Sequence, residues 1–303
     1  MYDIVIIGSG PAGLSSAIYA QRAGLKAVVV EKNYLGTGQI SESERVDNYP
    51  GLYGENGFDL GEKFRSHAES LGTEFIEGEA VKISKNTTDY SIELDNGNSL
   101  ETHTVIYAVG TERRKLQVEG EKEFSGRGVS YCAVCDAAFY KDKITAVAGG
   151  GDTALGDAAL LSKFAKKVYL IHRRDKFRAN KTLQQKVENI SNVEILLNSQ
   201  IKKINGSNKV ESITVDKNGA ETEIKVDGVF VAVGSVPNSA ILKDLVEVDN
   251  NGYIVANEDG VTSANGIFVA GDVRTKKLRQ VVTAVSDGAN CVLSAEDDLE
   301  KIK

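Results

Sequence analysis

Proline, cysteine and histidine are each reduced to three residues in a chain of 303. So little proline leaves few places for extended linkers or disordered joints. His67, His103 and His172 stand at no ligand spacing from Cys132, Cys135 or Cys291. A structural zinc site needs four ligands, and none can be assembled from these spacings. No apolar run reaches the ~18 residues that span a bilayer. The start, Met1-Tyr2-Asp3-Ile4, has no basic region ahead of an apolar stretch. A secretory signal is therefore not expected, and the cytosol is the expected compartment. Excess positive charge is missing as well: 36 Lys and Arg face 43 Asp and Glu, giving a net charge of −7 and a pI of about 5.2. That balance argues against nucleic acid or an anionic membrane as partner.

What is present is glycine, at 30 residues, in a chain 41% hydrophobic and 26% charged. This is the composition of a soluble globule with room for two domains. The glycines fall into a pattern that occurs twice. Residues 2–7, Y-D-I-V-I-I, read as a buried strand and lead into G-S-G-P-A-G, with Gly8, Gly10 and Gly13. A helical stretch from Pro11 to Arg22, then Gly24, then a second strand ending at Glu31 complete a βαβ unit. At 143–174 the run K-I-T-A-V-A leads into G-G-G-D-T-A, with Gly149, Gly151 and Ala154. A helical stretch over Asp152–Phe164 and a strand ending in His172-Arg173-Arg174 follow. Asp95-Asn96-Gly97 and Lys217-Asn218-Gly219 are hairpin signals at matching places. They precede V-I-Y-A-V-G, with Ala108 and Gly110, and V-F-V-A-V-G, ending at Gly234. The tail after Pro237-Asn238 is too short for a third such fold. The expected architecture is α/β: two Rossmann-like dinucleotide-binding domains of three-layer ββα type, the second inserted into the first. The boundaries expected are 1–114 with 244–303 for the outer domain and 115–243 for the insertion.

Each motif has a chemical preference. A pyrophosphate turn needs a tight bend, a close backbone approach and close helix packing, which Gly8, Gly10 and Gly13 supply in order. The helix behind them offers unpaired N–H groups and a positive dipole end. Glu31 at the strand tip accepts from ribose hydroxyls and repels a 2′-phosphate, so FAD or NAD is expected. The second tip carries His172, Arg173 and Arg174, with Arg178 four further on. Guanidinium forks match a phosphate, as the 2′-phosphate of NADPH requires. A solvated basic turn is the plain alternative, and opposite charge at equivalent tips disfavours it.

Between the two motifs lies S-Y-C-A-V-C-D. Cys132 and Cys135 read as half a zinc site, a redox pair or an accident of spacing. With no further ligands, and in a reducing compartment, the redox reading leads. Asp136 is a candidate proton donor and acceptor for the sulfur that leaves. It is equally an acid at a helix N-terminus. Cys291, in an apolar helical pattern, reads as a core residue.

Taken together these residues resemble the low-molecular-weight, bacterial and plant type of thioredoxin reductase, an FAD-dependent pyridine nucleotide-disulfide oxidoreductase. The resemblance runs over nearly the whole chain and includes motif order. It implies an FAD domain split by an inserted NADPH domain that carries the C-x-x-C. For FAD it implies Gly8, Ser9, Gly10, Pro11, Ala12 and Gly13, Glu31 and Lys32, Gly38 and Gln39, Asn48, Ala108 and Gly110, Gly271 and Asp272, and Arg279 and Gln280. For NADPH it implies Gly149, Gly151, Asp152, Thr153 and Ala154, with His172, Arg173, Arg174 and Arg178. It further implies that NADPH reduces FAD, that FAD reduces Cys132–Cys135, and that Cys135 is the flavin-side sulfur. Cys132 then attacks the disulfide of thioredoxin while Asp136 handles protons, in a cytoplasmic homodimer whose small domain turns on linkers near 112–118 and 240–246. This chain departs from the family pattern at three places. Ala137-Ala138 replace Gly-Phe or Phe-Phe. Leu155-Gly156-Asp157-Ala158 replace Val-Glu-Glu-Ala, where Gly156 costs about 1 kcal/mol against alanine. Glu119 replaces a proline. Alternatives on the same scaffold are ferredoxin as donor, an oxidase for a small dithiol, and a flavin-loaded redox sensor without turnover.

Overall fold

The structure, a computed structural model, describes residues 1–33, 36–43 and 45–301. The chain opens with Tyr2–Ile7 (β1), Pro11–Arg22 (α1), Ala27–Glu31 (β2), Gly57–Ser70 (α2), Glu74–Glu77 (β3), Ala80–Lys85 (β4), Tyr90–Leu94 (β5) and Ser99–Tyr107 (β6). A short strand, Thr111–Arg113 (β7), leads into Val129–Ser130 (β8), the helical turn Ala133–Asp136 (α3), Ile144–Gly149 (β9), Asp152–Leu161 (α4), Lys167–Ile171 (β10) and Lys181–Glu188 (α5). Then come Val193–Leu196 (β11), Ser199–Gly206 (β12), Val210–Lys217 (β13), Ala220–Lys225 (β14) and Gly228–Ala232 (β15). Ser235–Pro237 (β16), Ile267–Val269 (β17) and Val281–Glu300 (α6) close the chain. Two compact units result, Met1–Glu112 with Val236–Lys303, and Arg113–Ser235.

In the first unit β3, β2, β1 and β6 pair in parallel, and β17 adds in parallel to the C-terminal half of β6. The N-terminal half of β6 pairs antiparallel with β5, which pairs with β4. Strands buried on both faces read as continuous apolar runs rather than alternating ones, which is why V-I-I and V-V-V stand out in the sequence. The pleat then sorts them. Ile4, Ile6, Val29 and Ile106 face α1 and α6. Val5, Ile7, Val28, Val30 and Val105 face the antiparallel layer through Ile83 and Ile92. Each such side chain contributes about 1.5–3 kcal/mol by burial. Leu242 lies in that second core, and Tyr107 Oη donates to Asn238 O at 2.7 Å, so the chain after 236 packs with the first unit.

The second unit repeats the plan. The parallel order is β11-β10-β9-β15-β8, with β12-β13-β14 as the antiparallel layer. Val147, Val168, Leu170 and Phe230 face α4, and Ala146, Ala148, Val229 and Val231 face Ile201, Ile213 and Val215. Asn218 and Gly219 both take positive φ, 55° and 88°, as a two-residue hairpin between β13 and β14 demands. The helix of the second motif ends at Leu161 rather than Phe164. The last helix begins at Val281, two residues after Arg279, because Gln280 serves as its cap. No helix among the described residues is long and apolar enough to cross a membrane.

Candidate functional site

The first motif is a turn whose three glycines meet three different surroundings. Gly8 has φ +99°, and a Cβ on it would lie 2.7 Å from Ala108 O. Ala108 N in turn donates to Ile7 O at 2.8 Å, so the tip of β6 closes over the turn. A Cβ on Gly13 would overlap Gly8 O, which locks α1 against the turn. Gly10 differs: a Cβ there would meet nothing closer than Gly38 Cα at 3.8 Å. Gly10 is the N-cap of α1 and offers no side-chain cap, and Pro11 follows at the first helical position. An open face over uncapped N–H groups is what a pyrophosphate needs. The residues present therefore fit a dinucleotide diphosphate.

Glu31 ends β2 beside this turn. Its Oε2 accepts from Ser9 N at 2.9 Å and Ser9 Oγ at 2.8 Å, and its Oε1 accepts from Asn33 N at 3.0 Å. A carboxylate has about four acceptor positions and three are taken here, so one is left for a ribose hydroxyl. Lys32 is exposed. Gly38, at φ +76°, comes up against Gly10, and the Gln39 amide donates to Thr111 O. Asn48 Nδ2 donates to Gln280 Oε1 at 2.8 Å, and Gln280 caps α6 through a reciprocal pair with Thr283. Arg279 lies 4.1 Å over the Tyr253 ring and donates to Asp272 O at 3.3 Å. Gly271, at φ +80°, packs on Ala12. The structure thus gathers the first motif, Gly38, Ala108 and Gly271 around the N-terminus of α1.

A buried ion cluster behind Gly271 was not visible in the sequence. Asp287 Oδ2 accepts from Gly271 N at 2.9 Å, Arg274 Nε at 3.0 Å and Lys276 Nζ at 2.6 Å. Arg274 also reaches Asp287 Oδ1 at 2.8 Å and the exposed Glu258 at 3.1 Å. The buried carboxylate holds the Gly271 amide, and a Cβ on Gly271 would come within 3.1 Å of Ala12 Cβ. Only the fold brings position 287 to position 271, so spacing carried no signal. Cys291 is fully buried on the same helix, and burial pushes its thiol far up.

The second motif repeats the geometry. A Cβ on Gly149 would overlap Ala232 O, the counterpart of Ala108 O. Gly151 has nothing within 4 Å and caps α4 without a side chain. Ala154 is fully buried where the third glycine would stand. Asp152 Oδ1 accepts from Asn180 N and Nδ2, both at 2.8 Å, and Thr153 is exposed. Arg173, Arg174 and Arg178 are exposed at the tip, and Arg178 N donates to Gly150 O at 2.7 Å. His172 is the buried member of the group. It lies under Gly150, stacks on Phe177 at 5.4 Å, and its Nε2 is 3.1 Å from Lys176 O. Burial lowers its tendency to protonate, and the three arginines push the same way. A neutral ring that shapes the turn from below is its structural place; the three guanidiniums are the cations on offer to a phosphate.

Cys132 and Cys135 form a disulfide, with Cα atoms 5.3 Å apart. Cys132 is the N-cap of α3, and Cys135 N donates to its Sγ at 3.2 Å. Asp136 ends the same turn and accepts from Ser130 Oγ at 2.5 Å. Val134 and Phe139 are exposed beside it, at 54% and 39%. Among the described residues no group of three or more His, Cys, Asp or Glu could hold a metal ion.

The family model for pyridine nucleotide-disulphide oxidoreductases matches residues 2–288. The chain is 42% identical over 304 residues to a thioredoxin reductase of Mycoplasma genitalium, covering 99% of this chain and 96% of that one. It is 41% identical over 306 residues to one of Bacillus subtilis, covering 100% and 96%. A crystal structure of thioredoxin reductase from Streptococcus pyogenes aligns with a TM-score of 0.94 at 40% identity, over 99% of both chains. With that family model matching residues 2–288, and with these relatives covered nearly end to end, the chain belongs to the pyridine nucleotide-disulphide oxidoreductases.

Proposed function

We propose that this chain is a thioredoxin-disulfide reductase that takes electrons from NADPH and passes them by way of FAD and the Cys132–Cys135 pair to thioredoxin. The observation that carries the reading is the disulfide in the unit whose dinucleotide turn ends in three exposed arginines. The first unit is the FAD domain: Gly8–Gly13 and Gly38 hold the diphosphate, Glu31 the adenosine ribose, and Gly271-Asp272 with Asn48, Arg279 and Gln280 the flavin end. The chemistry FAD supplies when bound is two-electron transfer between a nicotinamide and a disulfide. The second unit is the NADPH domain, with Gly149, Gly151 and Ala154 for the diphosphate and Arg173, Arg174 and Arg178 for the 2′-phosphate. Reduced ferredoxin as donor would leave that arginine tip without a purpose, so NADPH is the better reading.

The protein's own residues account for the exchange with thioredoxin. The Cys132 thiolate attacks one sulfur of the partner disulfide; a mixed disulfide forms and the partner S–S bond breaks. The Cys135 thiolate then attacks Cys132 Sγ, the internal disulfide re-forms, and the partner leaves with both sulfurs reduced. The two sulfurs released take two protons, which Asp136 relays. The Cys135 N–H aimed at Cys132 Sγ stabilises negative charge on that sulfur, which favours Cys132 as the attacking thiolate. Val134 and Phe139 offer apolar surface beside the dithiol for the partner. A cytoplasmic homodimer goes with this reading, and light scattering measures it against 32.5 kDa per chain.

Anaerobic titration with NADPH, followed by flavin absorbance and run beside Cys135→Ser, is the test. Bleaching in both, with two fewer electrons taken up by the variant, supports the path. An oxidised flavin after stoichiometric NADPH, bleached by reduced ferredoxin, overturns the donor.

A further inference from the structure

We propose that Ser130 is a positioning residue for thiol–disulfide exchange, its hydroxyl tying the Asp136 carboxylate to the end of β8 on the far side of both cysteines. The proposal rests on the reading of Asp136 as the proton relay. Ser130 is 7% exposed, and its backbone is fixed by pairing with Phe230 on β15. Its Oγ lies 2.5 Å from Asp136 Oδ2, 3.1 Å from Cys132 N and 3.4 Å from Cys132 O. A serine hydroxyl has one hydrogen to give. Cys132 N–H donates to Oγ, so the hydroxyl's own hydrogen has two possible acceptors. The carboxylate is nearer by 0.9 Å, and a charge-assisted bond is the stronger of the two. The Cys132 carbonyl already accepts from Cys135 N at 3.2 Å and Asp136 N at 3.1 Å. The hydroxyl therefore serves Asp136.

This arrangement matters most when the disulfide is open. Oxidised, the turn is closed covalently between 132 and 135. Reduced, that closure is gone, and the bond from residue 130 to residue 136 still brackets both thiols.

The test is exchange of the internal disulfide with dithiothreitol in the full-length, FAD-loaded protein, quenched with acid and read by alkylation and mass. A reagent thiolate attacks one protein sulfur and forms a mixed disulfide. The Cys132–Cys135 bond breaks and the leaving sulfur takes its proton from Asp136. The second reagent thiol then closes the reagent's ring, loses its proton to solvent and frees the other cysteine. Two electrons have moved from reagent to protein. Rates are measured against pH for wild type, Ser130→Ala, Ser130→Thr, Asp136→Asn and the double variant. Ser130→Ala removes a hydrogen bond to the ionised carboxylate and is expected to move the limb on which rate falls with rising pH about one pH unit toward alkaline. It is also expected to slow exchange roughly tenfold, a fraction of what acid–base catalysis contributes. Ser130→Thr keeps the hydroxyl and stays within about threefold of wild type. The double variant is expected to be no slower than Asp136→Asn. A wild-type limb in Ser130→Ala, or additive losses in the double variant, overturns the role of Ser130. An Asp136→Asn profile identical to wild type overturns the relay reading instead. If Ser130→Ala fails to retain flavin, Ser130→Thr against Ser130→Val isolates the hydroxyl with matched shape.

Discussion

The glycines of each turn look alike in sequence, and the structure separates their roles sharply enough to predict three different failures. Gly10→Ala adds a methyl where the nearest atom is Gly38 Cα at 3.8 Å, on a φ of −67° that alanine adopts freely. Its effect on folding is that of alanine for glycine at an N-cap, about 0.5–1 kcal/mol. The methyl nevertheless stands on the face where a diphosphate must lie. Gly13→Ala is the reverse. It adds about 1 kcal/mol of helix propensity but drives a methyl into the Gly8 carbonyl. A backbone carbonyl cannot rotate away, so α1 must shift off the turn, and overpacking of this kind costs about 1–3 kcal/mol and occasionally more. The steric loss outweighs the propensity gain. Gly151→Ala is the Gly10 case in the second unit, with nothing within 4 Å of the added methyl. Urea unfolding of the flavin-stripped proteins, flavin content after reconstitution, and KM for NADPH distinguish the three. Gly10→Ala should unfold within about 1 kcal/mol of wild type and bind little flavin. Gly13→Ala should lose stability before cofactor is added. Gly151→Ala should hold a full complement of flavin while KM for NADPH rises at least about tenfold, or 1.4 kcal/mol. Full flavin binding by Gly10→Ala would refute the placement of the diphosphate over that face. A wild-type midpoint for Gly13→Ala would refute the packing.

Arg173→Gln and Arg174→Gln should each raise KM for NADPH by roughly tenfold and leave KM for NADH within about twofold, since each removes one charge-assisted contact to a phosphate; equal effects on both nucleotides would point to a lost fold instead. Burial pushes the Asp157 carboxyl from 3.8 up to about 6. A folded-state value above the unfolded one means stability is lost as pH rises from about 4 through about 6, by an amount on the order of 3 kcal/mol; Asp157→Asn should recover it at neutral pH and flatten that slope, and an unchanged slope in urea midpoints would sink the argument. Glu121 is 3% exposed and accepts from Leu116 N at 2.8 Å, Gln117 N at 2.7 Å and Tyr131 Oη at 3.0 Å; Glu121→Ala removes this shared acceptor and should lower stability by about 2 kcal/mol, with Glu121→Gln losing less in the same melts. Gly156→Ala meets open space in mid-helix and should stabilise by about 0.5–1 kcal/mol.

The sequence was most readable where one local rule decides the structure. A buried strand, a turn that only glycine can take and a helix behind it are all short-range demands, and both dinucleotide turns stand where that pattern put them. Asn218-Gly219 is the same kind of case: a two-residue hairpin needs positive φ twice, and the pair supplies it. Legibility ended where a side chain answers to a distant partner. Asp287 and Arg274 are thirteen positions apart with no periodic relation, and only the return of α6 against α1 buries them together. His172 shows a subtler limit. Its place in a basic run suggested a phosphate ligand, and nothing local said that the fold would turn it inward beneath Gly150. Ser130 and Glu121 were in plain view beside the cysteines and an expected linker, yet a lone hydroxyl or carboxylate has no signature until its donors and acceptors are placed.

The two units share a strand order but join it to the chain differently, and that difference locates the redox chemistry. In the first unit the strand beyond β6 is β17, which arrives after the insertion. In the second the corresponding strand beyond β15 is β8, which arrives before β9. The second unit therefore contains a connection the first lacks, from the outer strand into the first strand of its own dinucleotide turn, and the dithiol lies on that connection. Its anchorage is slight: β8 is two residues long, α3 is four, and β8 holds to the sheet through Val129 and Ser130 alone. The apolar side chains those short elements bury are Val129 and Ala133. Hydrogen bonds from the residues at its foot add to the packing of Ala133 and Ala137, among them Ser130 to Asp136 and Tyr131 to Glu121. A turn that must present the same two sulfurs to different partners gains from such an anchorage, because side-chain bonds can hold its chemistry in register while leaving its backbone free to move.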